Sequence, residues 1–199
     1  MKLHRWILAA SAAVLSLGLT AAPQIGAPAP DFTVVDSKGS SHSLRDFAGK
    51  TVVLEWTNHD CPFVKKHYQG NMQALQKEMT AQDVVWLSVI SSAPGKQGHV
   101  SPAEADELTA RRNAAPTAVV FDESGVVGQA YAAKTTPHMY VIDKAGLLQY
   151  MGGIDSIPSA KVADIANATP LFANAAKAVL AGETPNPAIS KPYGCSVKY

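Results

Sequence analysis

The sequence predicts an α/β fold with a central, mostly parallel sheet, an antiparallel edge hairpin and helices on both faces. Strand-like and helix-like segments alternate along most of the chain, which is typical of parallel strands joined by helical crossovers. Residues 84–90 form a continuous apolar run, as expected of a strand that is covered on both faces. Two later strand-like segments, 135–143 and 147–151, are joined by turn residues and predict the hairpin. The 199 residues suffice for one domain with a substantial core.

The first half of the domain predicts an extra N-terminal hairpin that leads into the central strand. Residues 31–35 alternate like a strand, and residues 36–39 have the turn chemistry that allows a short return strand. Residues 51–56 form the apolar run of the central strand. In the segment from Val64 to Met79, apolar residues recur at spacings of three and four, which predicts one helix with a core-facing stripe.

The second half of the domain predicts three further helices and one inserted strand. One helix begins with a capping box, in which Ser101 is the N-cap and Glu104 its reciprocal partner. The inserted strand and a short helix fall within residues 118–131. The last helix runs over residues 169–181 and ends at a glycine, so that residues 23–182 form the domain and residues 183–199 a C-terminal tail.

Composition excludes two classes of protein. Apolar residues make up 47% of the chain and charged residues 17%, which is typical of a globular protein rather than a disordered one. The formal net charge is only +1, so the chain lacks the basic footprint of a nucleic-acid-binding domain. The choice of partner must therefore be inferred from a local site.

The N-terminus has the layout of a secretory signal peptide, which we assign to residues 1–22. A short positive head precedes an apolar run from Trp6 to Leu19, and small residues follow this run. The run is too short for a comfortable membrane span, so we expect cleavage and a periplasmic or secreted protein without a stable span. In that oxidising compartment the two cysteines, Cys61 and Cys195, can pair with each other or with outside thiols.

Cys61 lies between a predicted strand and the start of a predicted helix, a position that is typical of reactive thiols. We expect Asp60 to be the N-cap and Pro62 to occupy the first helical position. Cys61 would then face unpaired N–H groups and the positive end of the helix dipole, which favour the thiolate. Positive charge one turn further on would act in the same direction; the residues concerned are Lys65, Lys66 and His67.

The order of these elements resembles the thioredoxin fold, in which a cis-proline lies beside a redox cysteine. Here Thr136 and Pro137 precede a later strand. The resemblance covers roughly residues 25–182 and implies that Pro137 is cis, with a backbone free to pair with an extended thiol substrate. The N-terminal hairpin and the insertion at residues 118–131 resemble the redoxin and peroxiredoxin side of this superfamily.

Three motifs resemble more closely a peroxiredoxin-like group of uncharacterised AhpC/TSA-type redoxins. These motifs are Asn-x-x-Cys-Pro-Phe-Val-Lys at residues 58–65, Thr-Pro and a strand ending in Asp at residues 136–143, and Gly-Cys-Ser-Val-Lys-Tyr at residues 194–199. The resemblance implies an oxidoreductase that acts on protein or small-molecule thiols and disulfides. We expect no cofactor and no resident metal.

The sequence also departs from both parent motifs. A thioredoxin-type Cys-x-x-Cys would need a second thiol three residues after Cys61, where Val64 stands. A typical peroxiredoxin has Pro-x-x-x-Thr-x-x-Cys, but Leu54 and Asn58 stand at its proline and threonine positions, and Thr57 is one place out of register. Peroxidase activity therefore cannot be carried over by analogy.

The leading hypothesis is a thiol-disulfide oxidoreductase in which Cys61 is the nucleophile and Cys195 the resolving cysteine. Thiolate attack on a disulfide requires a lowered pKa and access to the sulfur. We expect substrate positioning by five residues near Cys61, namely Thr57, Asn58, His59, Thr136 and Pro137. The competing structural hypothesis is a permanent Cys61–Cys195 disulfide that pins the tail, worth about 4–5 kcal/mol in the chain-entropy model.

Two other functions remain open at the level of sequence. In a thiol peroxidase with a rebuilt pocket, peroxides would be the substrates, and Thr57, Asn58 or His59 would bind them. A soft-metal protein, for example for copper, would draw on ligand types that the chain contains, although without a specifying spacing. The candidate ligands are His59, Cys61, His67, His138, Met139 and Cys195.

Overall fold

The computed structural model describes residues 22–199, which form a seven-stranded sheet covered by helices on both faces. In the sheet the strands follow the order β2-β1-β5-β4-β3-β7-β8, and β6 and β9 form a separate two-stranded sheet. The strands are β1 (Thr33–Asp36), β2 (Ser41–Ser43), β3 (Val52–Trp56), β4 (Val85–Ile90), β5 (Ala118–Phe121), β6 (Thr135–Thr136), β7 (His138–Ile142), β8 (Leu148–Gly152) and β9 (Cys195–Ser196).

The helices divide between the two faces of the sheet. Helices α2 and α5 pack on one face, around Trp86 and Phe172, and α3 extends this layer over β4 and β5. Helix α4 and a 3₁₀ turn at Leu44–Phe47 cover the opposite face, around Trp56 and Tyr131. The helices are α1 (Pro62–His67), α2 (Asn71–Thr80), α3 (Pro102–Arg111), α4 (Val126–Ala130) and α5 (Leu171–Leu180).

The α/β class, the N-terminal hairpin, the inserted strand–helix unit and the antiparallel edge hairpin are confirmed, but the sheet is mixed rather than mostly parallel. Only the pairs β3–β4 and β4–β5 are parallel, and the other four pairings in the sheet are antiparallel. The short helix α4 explains much of this. Its five residues span about 7.5 Å. That is too short to carry the chain back along the sheet, so β7 starts at the end where β5 stopped.

The segment predicted as one helix over residues 64–79 is two helices. Helix α1 ends at His67, and α2 begins at Asn71. Between them Gly70 has a φ of +120°, a conformation that ends a right-handed helix and that only glycine adopts readily. The apolar stripe nevertheless faces the core, because Val64, Met72 and Met79 are fully buried.

The other helix starts agree with the sequence. Ser101 caps α3 with a complete capping box, and Pro102 occupies its first turn. Within residues 22–199, no helix combines the length and the apolar character that a membrane crossing requires. The predicted signal peptide lies outside the described residues except for its last residue, Ala22.

Candidate active site

Cys61 lies at the junction of β3 and α1, and its side chain is 0% exposed. Cys61 itself is the N-cap, and Pro62 follows in the first turn of α1. The prediction of Asp60 as the N-cap is wrong because Asn58 organises the turn. The Asn58 side-chain oxygen accepts a hydrogen bond from the Asp60 N–H at 2.9 Å, and the Asn58 backbone carbonyl oxygen accepts one from the Cys61 N–H at 3.1 Å.

The Thr136–Pro137 peptide lies directly against the Cys61 sulfur. Its peptide bond is cis, as the sequence predicted. The Cys61 thiol donates a hydrogen bond to the Thr136 carbonyl oxygen at 3.0 Å. Residues that are 75 positions apart in the chain are thus joined at one site.

Cys195 meets the same site from the tail. Strand β9 runs antiparallel to β6, with Cys195 opposite Thr136 and Ser196 opposite Thr135. Both cysteines are free thiols, and each of them shifts the pKa of the other. The structure therefore brings the two predicted catalytic cysteines together on either side of Thr136.

The pKa values of the two thiols are displaced in opposite directions. Burial alone would raise the pKa of Cys61, but hydrogen bonds from the Cys195 and Thr136 side chains, together with the N–H groups of Cys195 and Val64, lower it below its ordinary value. Burial raises the pKa of Cys195 to about 11, and the neighbouring Cys61 adds to this rise. Cys61 is therefore the thiol that ionises first.

The main causes of the lowered Cys61 pKa differ from those expected, although the Val64 N–H at the helix start contributes as predicted. Helix α1 has six residues, so it supplies far less dipole than the long helix that the sequence predicted. Lys66 and His67 point into the protein, where Lys66 donates to Asp155 at 3.1 Å. Burial lowers the pKa of His67 to about 4, so this side chain is neutral near pH 7. Lys65 is exposed and lies 3.8 Å from Asp60.

The first of two anchors holds the tail immediately before Cys195. The Tyr193 hydroxyl donates to Asp155, lies 3.3 Å from the Lys66 ammonium and 3.1 Å from His67 Nε2. The Tyr193 ring also packs edge-on against Phe63 in α1, with ring centroids 5.7 Å apart. This buried polar network fixes the start of the β9 segment.

The second anchor lies at the end of the chain. The Tyr199 hydroxyl donates to the Ala133 carbonyl oxygen at 2.9 Å, and its ring rests on Gly125 and Gly128, where any Cβ would overlap it. Between the anchors, Gly194 has a φ of +136° and touches the Thr136 carbonyl so closely that a Cβ would overlap with it. The tail is thus clamped over Cys61 at both ends.

Not all of the predicted positioning residues lie beside the Cys61 sulfur. The Asn58 amide group donates to the Gln97 carbonyl oxygen at 3.2 Å, so this side chain supports the loop. Thr57 and His59 line a separate small cavity under α3. His138 is buried and hydrogen-bonded to Tyr140 at 2.9 Å, and burial lowers its pKa to about 3.

The metal hypothesis gains no support from this arrangement. Across residues 22–199, no group of three or more His, Cys, Asp or Glu side chains is placed to hold an ion. Two of the candidate ligands, His67 and His138, are instead engaged with tyrosines.

Comparison with known proteins places the chain in a family. The family model described as AhpC/TSA matches residues 25–151, which is more than half of the chain. The chain belongs to this family. The match contains Cys61, Thr136 and Pro137, whereas Cys195 and both tail anchors lie beyond it.

Individual relatives of this AhpC/TSA protein are distant. The curated relative "Thiol-disulfide oxidoreductase ResA" from Geobacillus kaustophilus (strain HTA426) is 29% identical over 124 residues, which cover 61% of this chain and 65% of the relative. An uncharacterised conserved protein from Geobacillus kaustophilus has a TM-score of 0.72 at 23% identity, covering 88% of this chain and 92% of that one. A thioredoxin domain of a thiol-disulfide oxidoreductase from Bacteroides vulgatus has a TM-score of 0.51 at 18% identity, with coverages of 72% and 96%. These structures establish the thioredoxin-like fold.

Proposed function

We propose that this AhpC/TSA protein is a thiol-disulfide oxidoreductase in which Cys61 attacks the substrate and Cys195 resolves the intermediate. The observation that carries the proposal is that Thr136 brings two free thiols with opposite pKa shifts to one place: its carbonyl oxygen accepts from Cys61, and it pairs with Cys195 in the β6–β9 sheet. The relative named as a thiol-disulfide oxidoreductase supports the same class of reaction. The substrates are protein or small-molecule disulfides, and the chain's own thiols need no cofactor.

The chemistry is two successive thiol–disulfide exchanges. The Cys61 thiolate attacks one sulfur of a substrate disulfide, forms a mixed disulfide and expels the first substrate thiolate. Cys195 then loses its proton and attacks the Cys61 sulfur. This step forms the Cys61–Cys195 disulfide and releases the second substrate thiolate. Two electrons pass from the protein to the substrate, and the two protons lost by the cysteines go to the two products.

The arrangement of the tail over Cys61 supports separate roles for the two cysteines. Cys61 is fully buried under the tail, so a substrate disulfide reaches it only when the β9 segment moves away. The high pKa of Cys195 keeps it protonated near pH 7 while Cys61 reacts. Once Cys61 carries the substrate, it is no longer a thiolate, and one of the causes of the raised Cys195 pKa disappears.

A single-turnover measurement of released thiol tests this mechanism. Reduced protein is mixed with a small excess of an aromatic disulfide, and both thiol release and the protein mass are followed. We expect two thiols per wild-type molecule and an internal disulfide, and one thiol with an adduct on Cys61 in Cys195→Ser. Cys61→Ser should release none from this site. Release of two thiols by Cys195→Ser, or an adduct on Cys195 in the wild type, would contradict the assigned roles.

The same variants separate this function from a thiol peroxidase. With hydrogen peroxide in place of the disulfide, the proposal predicts slow consumption in all proteins. Rapid, Cys61-dependent loss of peroxide would favour the peroxidase instead. The side chains of Thr57, Asn58 and His59 argue for the slow outcome, since they face a loop or a different cavity.

We also propose that the protein is exported. The support is the layout of residues 1–22 and a reaction that suits an oxidising compartment. Mass measurement of the protein purified from its native cell envelope tests this, because cleavage near Ala22 would remove the apolar run. Recovery of the full-length chain from the cytoplasm would contradict export.

A further inference from the structure

A small cavity lies under α3, on the sheet face that carries α2 and α5, and apart from the two cysteines. Its volume is about 40 Å³, several times the ~10–15 Å³ that one water requires. The walls on the side of α3 and the sheet are apolar and include Ile90, Ala105, Leu108, Pro116 and Val119. The polar groups that line it include Thr57, His59 and Arg112.

Arg112 brings to this cavity a positive charge that has no ion-pair partner among residues 22–199. The half-buried guanidinium donates one hydrogen bond, to the His59 carbonyl oxygen at 3.0 Å, and lies 4.7 Å from the centre of the Tyr68 ring. None of the ten ion pairs found within residues 22–199 involves Arg112. Residues 1–21 contain no Asp or Glu that could reach it. A partly desolvated guanidinium with unused donors favours an anionic partner.

The two nearest acidic residues have other partners. Glu55 accepts hydrogen bonds from four side chains, including Tyr68 at 2.8 Å and Trp86 at 2.9 Å, and its burial raises its pKa, which disfavours the charged form. Asp60 lies 3.4 Å from the His59 ring and 3.8 Å from Lys65. Neither carboxyl group forms an ion pair with Arg112.

A buried hydroxyl group supplies an independent sign of a missing partner. Thr57 is nine-tenths buried and lines the cavity. Its Oγ1 is the one buried side-chain oxygen or nitrogen within residues 22–199 that lacks a hydrogen-bond partner. Buried hydroxyl groups are nearly always hydrogen-bonded, because leaving one unpaired is costly.

We propose that this cavity binds a small carboxylate such as acetate, with Arg112 as the cationic anchor and Thr57 as a hydrogen-bond donor. The apolar walls would take the short alkyl end of such a ligand, whereas they offer nothing to the outer oxygens of a phosphate. The ligand would lie beneath the segment from Thr57 to His59, which joins β3 to the nucleophile. It would touch neither Cys61 nor Cys195, so the site is separate from the proposed redox reaction.

The test is a titration of the full-length reduced protein with sodium acetate at constant ionic strength, balanced with sodium chloride and followed by amide NMR. We expect saturable shifts at Thr57, His59 and Thr109, and binding weakened at least about tenfold in Arg112→Gln. Arg111→Gln is the matched control, because Arg111 is the adjacent, exposed arginine and does not line the cavity. It should bind acetate like the wild type.

A second variant makes the test independent of the folding of Arg112→Gln. Leu108→Phe keeps both arginines but fills the cavity, and we expect it to abolish the saturable shifts. Phosphate should produce no saturable shift at these residues. Equal binding by wild type and Leu108→Phe, equal loss in both arginine variants, or shifts reproduced by chloride or phosphate would each overturn the proposal.

Discussion

The two cysteines meet at one site, yet they belong to very different parts of the molecule. Cys61 is fully buried at the junction of a central strand and a helix, inside the region that matches the AhpC/TSA family. Cys195 is half-buried in a two-residue strand on a tail outside that region. In the proposed mechanism, the fold holds Cys61 in place as the nucleophile, and the tail moves to admit the substrate and then returns Cys195. This division suits a reaction in which the first partner must gain access before the second one closes the cycle.

The tail is held by contacts of two kinds. Tyr193 enters a buried polar network with Lys66 and Asp155, whereas Tyr199 makes one hydrogen bond and rests on two glycines. Two residue pairs join β9 to β6, and two backbone hydrogen bonds, Val197 N–H to Lys134 and Ala93 N–H to Lys198, hold the outer part of the tail, which has no buried charged network like that of Tyr193. We therefore expect the tail to open from its outer end, with Tyr193 as the pivot.

The largest expected effect comes from forcing the tail off Thr136. In Gly194→Ala the new Cβ would overlap the Thr136 carbonyl, and an alanine at a φ of +136° is strained in addition. Strain of this kind costs about 1–3 kcal/mol, which raises the open population by a factor of about 5 to about 150. Alkylation of Cys61 at neutral pH should accelerate by the same factor.

Gly182→Ala is the matched control for this variant. Gly182 also has a positive φ, of +76°, but nothing lies within 4 Å of its Cβ position. It should lose some stability and leave the Cys61 alkylation rate unchanged. If both variants accelerate alkylation equally, the tail is not what shields Cys61.

A smaller effect should separate the two thiol pKa values. Burial comes first among the causes that raise the Cys195 pKa to about 11, and the hydrogen bond and charge of Cys61 follow. Cys61→Ala removes the hydrogen bond and the charge, so the Cys195 pKa should fall by about one unit. At a fixed pH below that pKa, the alkylation rate of Cys195 should therefore rise about tenfold. Lys198 lowers this pKa, so Lys198→Gln should shift it upward. The pH profile of alkylation measures both shifts, and an unchanged profile in Cys61→Ala would show that the thiols do not interact.

The last effect concerns the stability of the protein in acid rather than the reactivity of its thiols, and it tests the inner anchor. Burial lowers the pKa of His67 from 6.5 to about 4, so the unfolded chain binds a proton at this ring more readily than the folded protein does. The contribution of the neutral ring to the free energy of unfolding is therefore fully present above pH 6.5 and is lost as the pH falls toward 4. One such group changes the free energy of unfolding by about 1.4 kcal/mol per pH unit in that range. His67→Gln should flatten the stability curve there, as followed by urea unfolding. Part of the slope should remain, since the His138 pKa is lowered to about 3. A variant whose slope equals that of the wild type would show that His67 does not control it.

The strand and helix pattern and the position of Cys61 could be predicted from the sequence because each has a local cause. The capping box at Ser101, the apolar run of β4 and the turn after β7 all lie within a few residues of what they specify. The lowered pKa of Cys61 was predicted correctly in direction. Its main cause was not, because the larger contributions come from Cys195 and Thr136, which are distant in sequence, and only the Val64 N–H belongs to the helix start.

The tail shows why the rest of the site could not be predicted. Tyr193 and Tyr199 flank Cys195 and were a visible signal, but their partners Asp155 and Ala133 carry no sequence mark of the contact. Similarly, Lys66 appeared as a charge near Cys61, and only the tertiary structure shows that it is paired with Asp155 inside the protein. Long-range pairing decides such roles, and local patterns do not encode it.

The most direct test of the account is the reduction potential of the Cys61–Cys195 pair in the purified protein. Equilibration with glutathione or dithiothreitol buffers, read by mass after alkylation, gives the fraction oxidised. Because both thiols are free and both lie beside Thr136, we predict a reversible internal disulfide with a potential in the range of known oxidoreductases, about −120 to −270 mV. A disulfide whose reduction potential lies below about −300 mV would instead be a structural clamp. Failure to form any internal disulfide would likewise contradict Cys195 as the resolving cysteine.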